Sequence, residues 1–260
     1  MLGAIIGDIA GSIYEFNNTR DYNFPLFSQK GSFTDDTICT IAVADALMSG
    51  ADFGSSLRRW CNAYPHPMGG YGASFAAWLR SSDPKPYYSF GNGAAMRVSP
   101  VGWAFGSESE TLRFAMYSAE CTHNHPEGLI GAALVARAIF KMRHNGGSIS
   151  RKEIRDMLKA CYGADWDLHL PESGHFDETC QGCVPLAFYI VGQSGSFEDA
   201  VRLAVSYGGD SDTLGAIAGS IAEARFGIPD AIKRRALEYL PGDMIEILNK
   251  FAKKFGYGKA

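Results

Sequence analysis

Apolar residues at positions 38, 41, 42, 43, 46, 47 and 48 fall close to one helical face, so the spacing predicts a helix over Ile38–Met48. Similar spacing predicts helices over Leu112–Cys121, Gly128–Met142, Arg151–Cys161 and Met244–Phe255. Ser196–Val205 and Asp230–Leu240 also read as helices, with Ser and Asp available as caps. Val184–Val191 is a short apolar run that suits a strand or a buried helix equally. Gly-, Pro- and polar-rich connections fall at 17–32, 62–72, 80–93, 143–149 and 164–178, none long or biased enough for a flexible linker. The expectation is an all-α chain with residues 1–260 as a single domain.

Glycine stands out within this pattern. The chain holds 30 in 260 residues, against an ordinary usage of about 7%. Gly3, Gly7 and Gly11 recur every fourth residue, as do Gly215 and Gly219, and Ile9–Glu15 resembles Ile217–Glu223. A glycine inside a helix costs about 1 kcal/mol relative to alanine. Such rows therefore predict two central helices whose backbones approach closely and fix a site at their ends.

Charge and composition narrow the function. Lys+Arg 24 against Asp+Glu 28 gives a formal net charge of −4, which offers no broad basic surface for nucleic acid. No apolar run reaches the ~20 residues of a membrane span. The segment Met1–Ser12 has no Lys or Arg and contains Asp8, making it a poor signal peptide. Six cysteines in a chain of this length do not form a dense disulfide framework, so the reduced cytoplasm is the expected compartment and a monomer the expected state. Cys180-Gln181-Gly182-Cys183, with His169 and His175 upstream, lacks a recognised zinc order and reads as reduced helix cysteines. His66 and His144 read as surface residues.

The chemical candidates are acidic. Thr34-Asp35-Asp36-Thr37 opens the Ile38 helix, and Gly208-Gly209-Asp210-Ser211-Asp212-Thr213 opens another. Helix capping explains one side-chain oxygen at each start, but each segment carries two carboxylates and a threonine hydroxyl. If the two starts face each other, about four negative charges gather, which requires raised pKa values or bound cations. Oxygen donors without His or Cys suit Mg²⁺ or Mn²⁺ before Zn²⁺. Asp8 and Glu15, seven residues apart, share a helical face, and Glu15 reads as solvated surface unless the acidic centre lies beside it. Gly91-Asn92-Gly93-Ala94-Ala95-Met96-Arg97 is a glycine-rich turn suited to phosphate oxygens. Gly69-Gly70-Tyr71-Gly72 offers a similar loop with an aromatic for stacking. Thr122-His123 precedes a helix, as a capping turn or a ligand contact.

These segments, in this order, resemble the ADP-ribosylglycohydrolase family across residues 3 to about 229. The resemblance implies an all-α, orthogonally packed fold with a binuclear Mg²⁺ or Mn²⁺ centre at helix N-termini, and hydrolysis of the glycosidic bond at C1 of ADP-ribose. The substrate would be an ADP-ribosylated protein or small molecule. By match, Thr34, Asp35, Asp36, Asp210, Asp212 and Thr213 are the implied metal ligands, and Glu15, Asp36 and Asp212 the implied catalytic groups. Gly70, Tyr71, Gly72, Asn92, Gly93 and His123 would line the ADP-ribose cleft. Apart from the resemblance, the 12% aromatic content reads mostly as core, with Tyr71 and Phe105 as the candidate rings for stacking on adenine. The loops at 17–32 and 164–178 match no family pattern. Two alternatives stand beside this reading: a non-catalytic binding or structural protein of the same fold, and a two-metal phosphoester hydrolase.

Overall fold

A computed structural model describes residues 1–147 and 149–257. Among them lie fourteen α-helices and one short 3-10 turn, with two isolated β-bridges and no sheet. The first three helices are α1 (Leu2–Gly11), α2 (Asp35–Ser49) and α3 (Phe53–Ala63), followed by the shorter α4 (Ala73–Arg80), α5 (Gly93–Met96) and α6 (Ser99–Ala104). Next come α7 (Glu108–Glu120), α8 (Pro126–His144) and α9 (Arg151–Tyr162). The last five are α10 (Cys180–Gln193), α11 (Phe197–Tyr207), α12 (Ser211–Phe226), α13 (Asp230–Leu237) and α14 (Gly242–Phe255).

Local chemistry accounts for many boundaries. Thr34 caps α2 by accepting from the Asp36 amide, and Gly50 ends it in the left-handed region. Ser150 and Glu153 form a capping box at α9, and Ser196 caps α11. The ambiguous run at Val184–Val191 is helical, inside α10. Its residues are buried on nearly every side, which erases the periodicity that distinguishes helix from strand. The expected connection at 62–72 begins inside α3, and Ser148 of the connection at 143–149 lies outside the described residues. No described helix is long and apolar enough to cross a membrane.

The core is organised around α1 and α12, which run antiparallel. A Cβ on Gly7 would stand 1.9 Å from the Gly215 carbonyl oxygen, and one on Gly3 would stand 2.3 Å from that of Gly219. The glycine rows therefore meet backbone to backbone, as the sequence pattern predicts. Residues Ser211 to Ala224 of α12 are all buried, and α12 also packs on α8, α10 and α11. At one end of the seam Glu223 receives the Met1 amino group, the Gly3 amide at 3.0 Å and the Tyr257 hydroxyl. The other end carries the acidic residues.

Candidate active site

Gly11, the last residue of α1, brings that helix to the first turn of α12, since a Cβ there would lie 2.5 Å from the Asp212 Cα. The start of α2 is held against the same point. Asp8 Oδ2 accepts from the Thr34 amide at 3.0 Å, the Thr37 amide at 3.1 Å and the Thr37 hydroxyl. Asp36 Oδ2 in turn accepts from the hydroxyls of Thr34 at 3.3 Å and Thr213 at 3.2 Å. The two helix starts thus face each other. Asp210 makes no cap bond to α12; its Oδ2 accepts from Asn92 Nδ2 at 2.7 Å. Gly208 and Gly209 take positive φ before it, and Asn18 bonds both backbone groups of Gly209.

The electrostatic result is crowding. Burial pushes Asp8 up to about 6, and it raises Asp210 despite the Asn92 bond. Burial first, then neighbouring carboxylates, hold Asp35, Asp36 and Asp212 well above the usual range. Glu15 is half-buried and raised to about 7 by burial, then by Asp210 and Asp8.

Two sets of three carboxylates each place one oxygen per residue within 4.8 Å of the others: Asp8, Asp36 and Asp212, and Glu15, Asp210 and Asp212. Asp35 stands outside both sets and lines the adjoining cleft. Asp8 Oδ1, Asp36 Oδ1 and Asp212 Oδ1 are buried without a hydrogen-bond partner. Unpartnered, oxygen-only donors with surplus negative charge fit a hard divalent cation.

The cleft has a volume of about 590 Å³, and Gly70, Tyr71, Gly72, Asn92, Gly93 and His123 all line it beside Glu15, Asp35, Asp36, Asp210, Asp212 and Thr213. Tyr71 anchors its loop by donating to the carbonyls of Tyr64 at 2.7 Å and Cys61 at 3.2 Å. Gly69 takes a positive φ that favours glycine, and a Cβ there would also press on Glu15 Oε2 at 2.6 Å. Asn92 is fixed from behind by its own amide, which donates to the Glu178 carbonyl at 2.7 Å. The Cys180 thiol donates to the Gly91 carbonyl, clipping the glycine-rich turn to α10, and the Cys183 thiol donates to the Asp177 carbonyl just before that helix.

Gly93 leaves room for His123, whose Nε2 would be 3.0 Å from a Cβ at that position. Burial first, then Arg97, holds His123 well below the usual range, so the ring is neutral. Arg97 donates to the Thr122 hydroxyl at 2.7 Å, and that hydroxyl lies 2.7 Å from His123 Nδ1. Such a chain ties His123 Nδ1 to Arg97 through Thr122 and leaves Nε2 facing Gly93 in the cleft.

One expectation is corrected. Phe105 stacks on Phe114 at 4.4 Å, its carbonyl accepts from Arg143, and it does not line the cleft. The exposed rings at hand are Phe16 and Phe176, which stack on each other in the cleft, and Tyr88 and Phe90 in a groove that continues it. Sequence reasoning named Asp8 only as sharing a helical face with Glu15, and Arg97 only as the end of the glycine-rich turn, and gave neither a role in the site. Arg97 is buried and lines the cleft without a carboxylate partner, and the charge closing the glycine-rich turn was the available signal.

The sequence matches the ADP-ribosylglycohydrolase family over residues 1–258. It is 26% identical over 256 residues to ADP-ribosyl-[dinitrogen reductase] glycohydrolase of Rhodospirillum rubrum, covering 88% of this chain and 85% of that protein. It is 25% identical over 327 residues to human ADP-ribosylhydrolase ARH3, covering 94% and 90%. ADP-ribosylarginine hydrolase Tri1 of Pseudomonas putida is 25% identical over 278 residues, covering 88% and 70%. A solved structure described as an ADP-ribosylglycohydrolase-related protein complex shares the fold, with a TM-score of 0.74 at 22% identity over 97% of this chain and 95% of that one.

Proposed function

The chain belongs to the ADP-ribosylglycohydrolase family, and from that premise we propose that it hydrolyses the glycosidic bond at C1 of ADP-ribose, releasing a protein side chain or small acceptor. The observation that carries this reading is the convergence of raised carboxylates from α1, α2 and α12 on one cleft, with Glu15 at its mouth raised to about 7. We assign Thr34, Asp35, Asp36, Asp210, Asp212 and Thr213 as the residues that hold two divalent ions, magnesium or manganese. When bound, such ions supply charge neutralisation and Lewis-acid polarisation at the reacting sugar.

The remaining work falls to the chain. A carboxyl group titrating near neutrality both donates and accepts a proton at working pH, so Glu15 is the general acid/base at the glycosidic atom or the attacking water. The buried charge of Asp36 and Asp212 stabilises the oxocarbenium-like character that C1 develops. Asn92, Gly93 and the imidazole of His123 orient the diphosphate side of the substrate. Arg97, fixed beneath them, supplies the positive charge that the surface lacks. Gly70, Tyr71 and Gly72 shape the opposite wall. The rings of Tyr88, Phe90 and Phe176 take the adenine-stacking role expected of Phe105.

The test is a panel of peptides ADP-ribosylated on arginine or serine, with O-acetyl-ADP-ribose and a simple phosphodiester, each assayed with chelator and with added Mg²⁺ or Mn²⁺. Metal-dependent release of ADP-ribose is the expected outcome. Turnover of the phosphodiester alone would make the protein a phosphoester hydrolase. Tight ADP-ribose binding without turnover of any substrate would make it a binding protein.

A further inference from the structure

We propose that Asp8 is a member of the ion centre in its own right, its Oδ2 clamping the first turn of α2 while its Oδ1 holds a divalent cation together with Asp36 and Asp212. The inference rests on the reading of this centre as an ion site, and it adds a ligand on the side of the centre away from the cleft.

Three observations carry it. Asp8 is fully buried, and all three of its hydrogen bonds fall on Oδ2, leaving Oδ1 without a partner. Buried carboxylate oxygens are seldom left unsatisfied unless something absent from the hydrogen-bond network completes them. The same is true of Asp36 Oδ1 and Asp212 Oδ1, and the three carboxylates belong to three different helices yet approach within 4.8 Å.

Capping alone does not account for an aspartate here. The first turn of α2 already has Thr34 as its cap, and clamping it from α1 needs a single acceptor oxygen. An asparagine would supply that oxygen without placing another negative charge beside Asp36 and Asp212. The glycine seam then fixes the distance. Asp8 lies between Gly7, pressed on Gly215, and Gly11, pressed on Asp212, so it has no room to withdraw from them. The two carboxylate sets share Asp212 and differ in access: Asp8, Asp36 and Asp212 are all buried, whereas Glu15, Asp210 and Asp212 open at the half-buried Glu15. Asp8 thereby gives the inner position a third carboxylate. An ion held there ties α1, α2 and α12 together.

The experiment is a Mn²⁺ titration of the full, metal-stripped chain, with free Mn²⁺ read by electron paramagnetic resonance and folding followed by circular dichroism. Asp8→Asn is expected to remain helical and to bind Mn²⁺ at least about tenfold more weakly at one of two positions. Thr37→Val removes one donor to Oδ2 but no ligand, and it is expected to keep Mn²⁺ affinity within about threefold. Wild-type affinity in Asp8→Asn overturns the proposal while leaving the proposed function standing. Equal weakening in both variants also overturns it, because Asp8 would then act only through the cap. If Asp8→Asn fails to fold, Thr37→Val decides: retained affinity supports ligation and lost affinity refutes it. Absence of Mn²⁺ binding by the wild type overturns both this inference and the function on which it rests.

Discussion

Replacing Gly7 by alanine should destabilise the protein, although alanine is the better helix former. The new Cβ would stand 1.9 Å from the Gly215 carbonyl oxygen, where ordinary contact begins at 3.4 Å, so α1 and α12 must separate by up to 1.5 Å. The obstruction is backbone of a helix itself packed on α8, α10 and α11, which places the penalty near the upper end of core overpacking, about 3 kcal/mol. Helix propensity returns about 1 kcal/mol. The net loss is about 2 kcal/mol, or a fall in Tm of roughly 4–8 °C for a chain of this size. Gly192 of α10 is the control, because a Cβ there meets nothing within 4 Å, and Gly192→Ala should raise Tm slightly. Thermal unfolding of both variants by circular dichroism makes the comparison. Metal affinity supplies a second readout, since separating the helices also separates Asp8 and Asp36 from Asp212. If Gly7→Ala melted at or above the wild type, backbone contact along the seam would be refuted.

The remaining predictions concern protons, catalysis and recognition. Asp8 and Glu15 have folded pKa values raised to about 6 and about 7, so their protonated forms stabilise the metal-free fold below about pH 4, and that contribution is lost as pH rises through 6–7. For fully buried Asp8 the shift corresponds to about 3 kcal/mol, so the stripped protein should melt higher at pH 5 than at pH 8, and saturating Mn²⁺ should remove the difference. Glu15→Gln should lower kcat by ~10²–10⁴-fold with Mn²⁺ binding retained; near-normal kcat would move proton transfer elsewhere, and lost Mn²⁺ binding would make Glu15 a ligand. Phe176→Ala should raise KM for an ADP-ribosylated peptide, whereas Phe105→Ala should leave KM unchanged, and the reverse would restore Phe105 as the stacking ring.

Much of this fold was legible because many helices carry one apolar face and a visible cap, as at Thr34 and Ser196. Helices α3 to α6 were not, because α5 and α6 are too short to show a period, and α3 begins in Gly54-Ser55-Ser56, which reads as a loop. The acidic segments announced themselves by carrying more carboxylates than a cap needs. Asp8 did not, because its neighbours Thr34, Thr37 and Asp212 lie 26, 29 and 204 positions away, and no local pattern encodes that meeting. Phe105 misled for the complementary reason: the sequence does not show which way a ring turns, and the packing of α6 and α7 sets this one against Phe114.

The glycine seam and the acidic centre are one device. Like-charged carboxylates on separate helices ordinarily relax by letting the helices drift apart, at little cost over a fraction of an ångström. Here that route is closed, because Gly7 on Gly215 and Gly11 on Asp212 already place backbone against backbone, and separation would forfeit contact along the whole of α1. Asn92 and the threonines Thr34, Thr37 and Thr213 hold single oxygens in place without neutralising any charge. Repulsion can then be relieved only by a proton or a cation. Protons answer it in the metal-free chain, where burial first and neighbouring carboxylates second hold Asp36 and Asp212 above their ordinary range. A divalent ion answers it with two charges at once and without consuming the proton that Glu15 needs for the reaction. Stability withheld from the bare protein thus becomes affinity for the ion, and the geometry that enforces this is written in residues with no side chain at all.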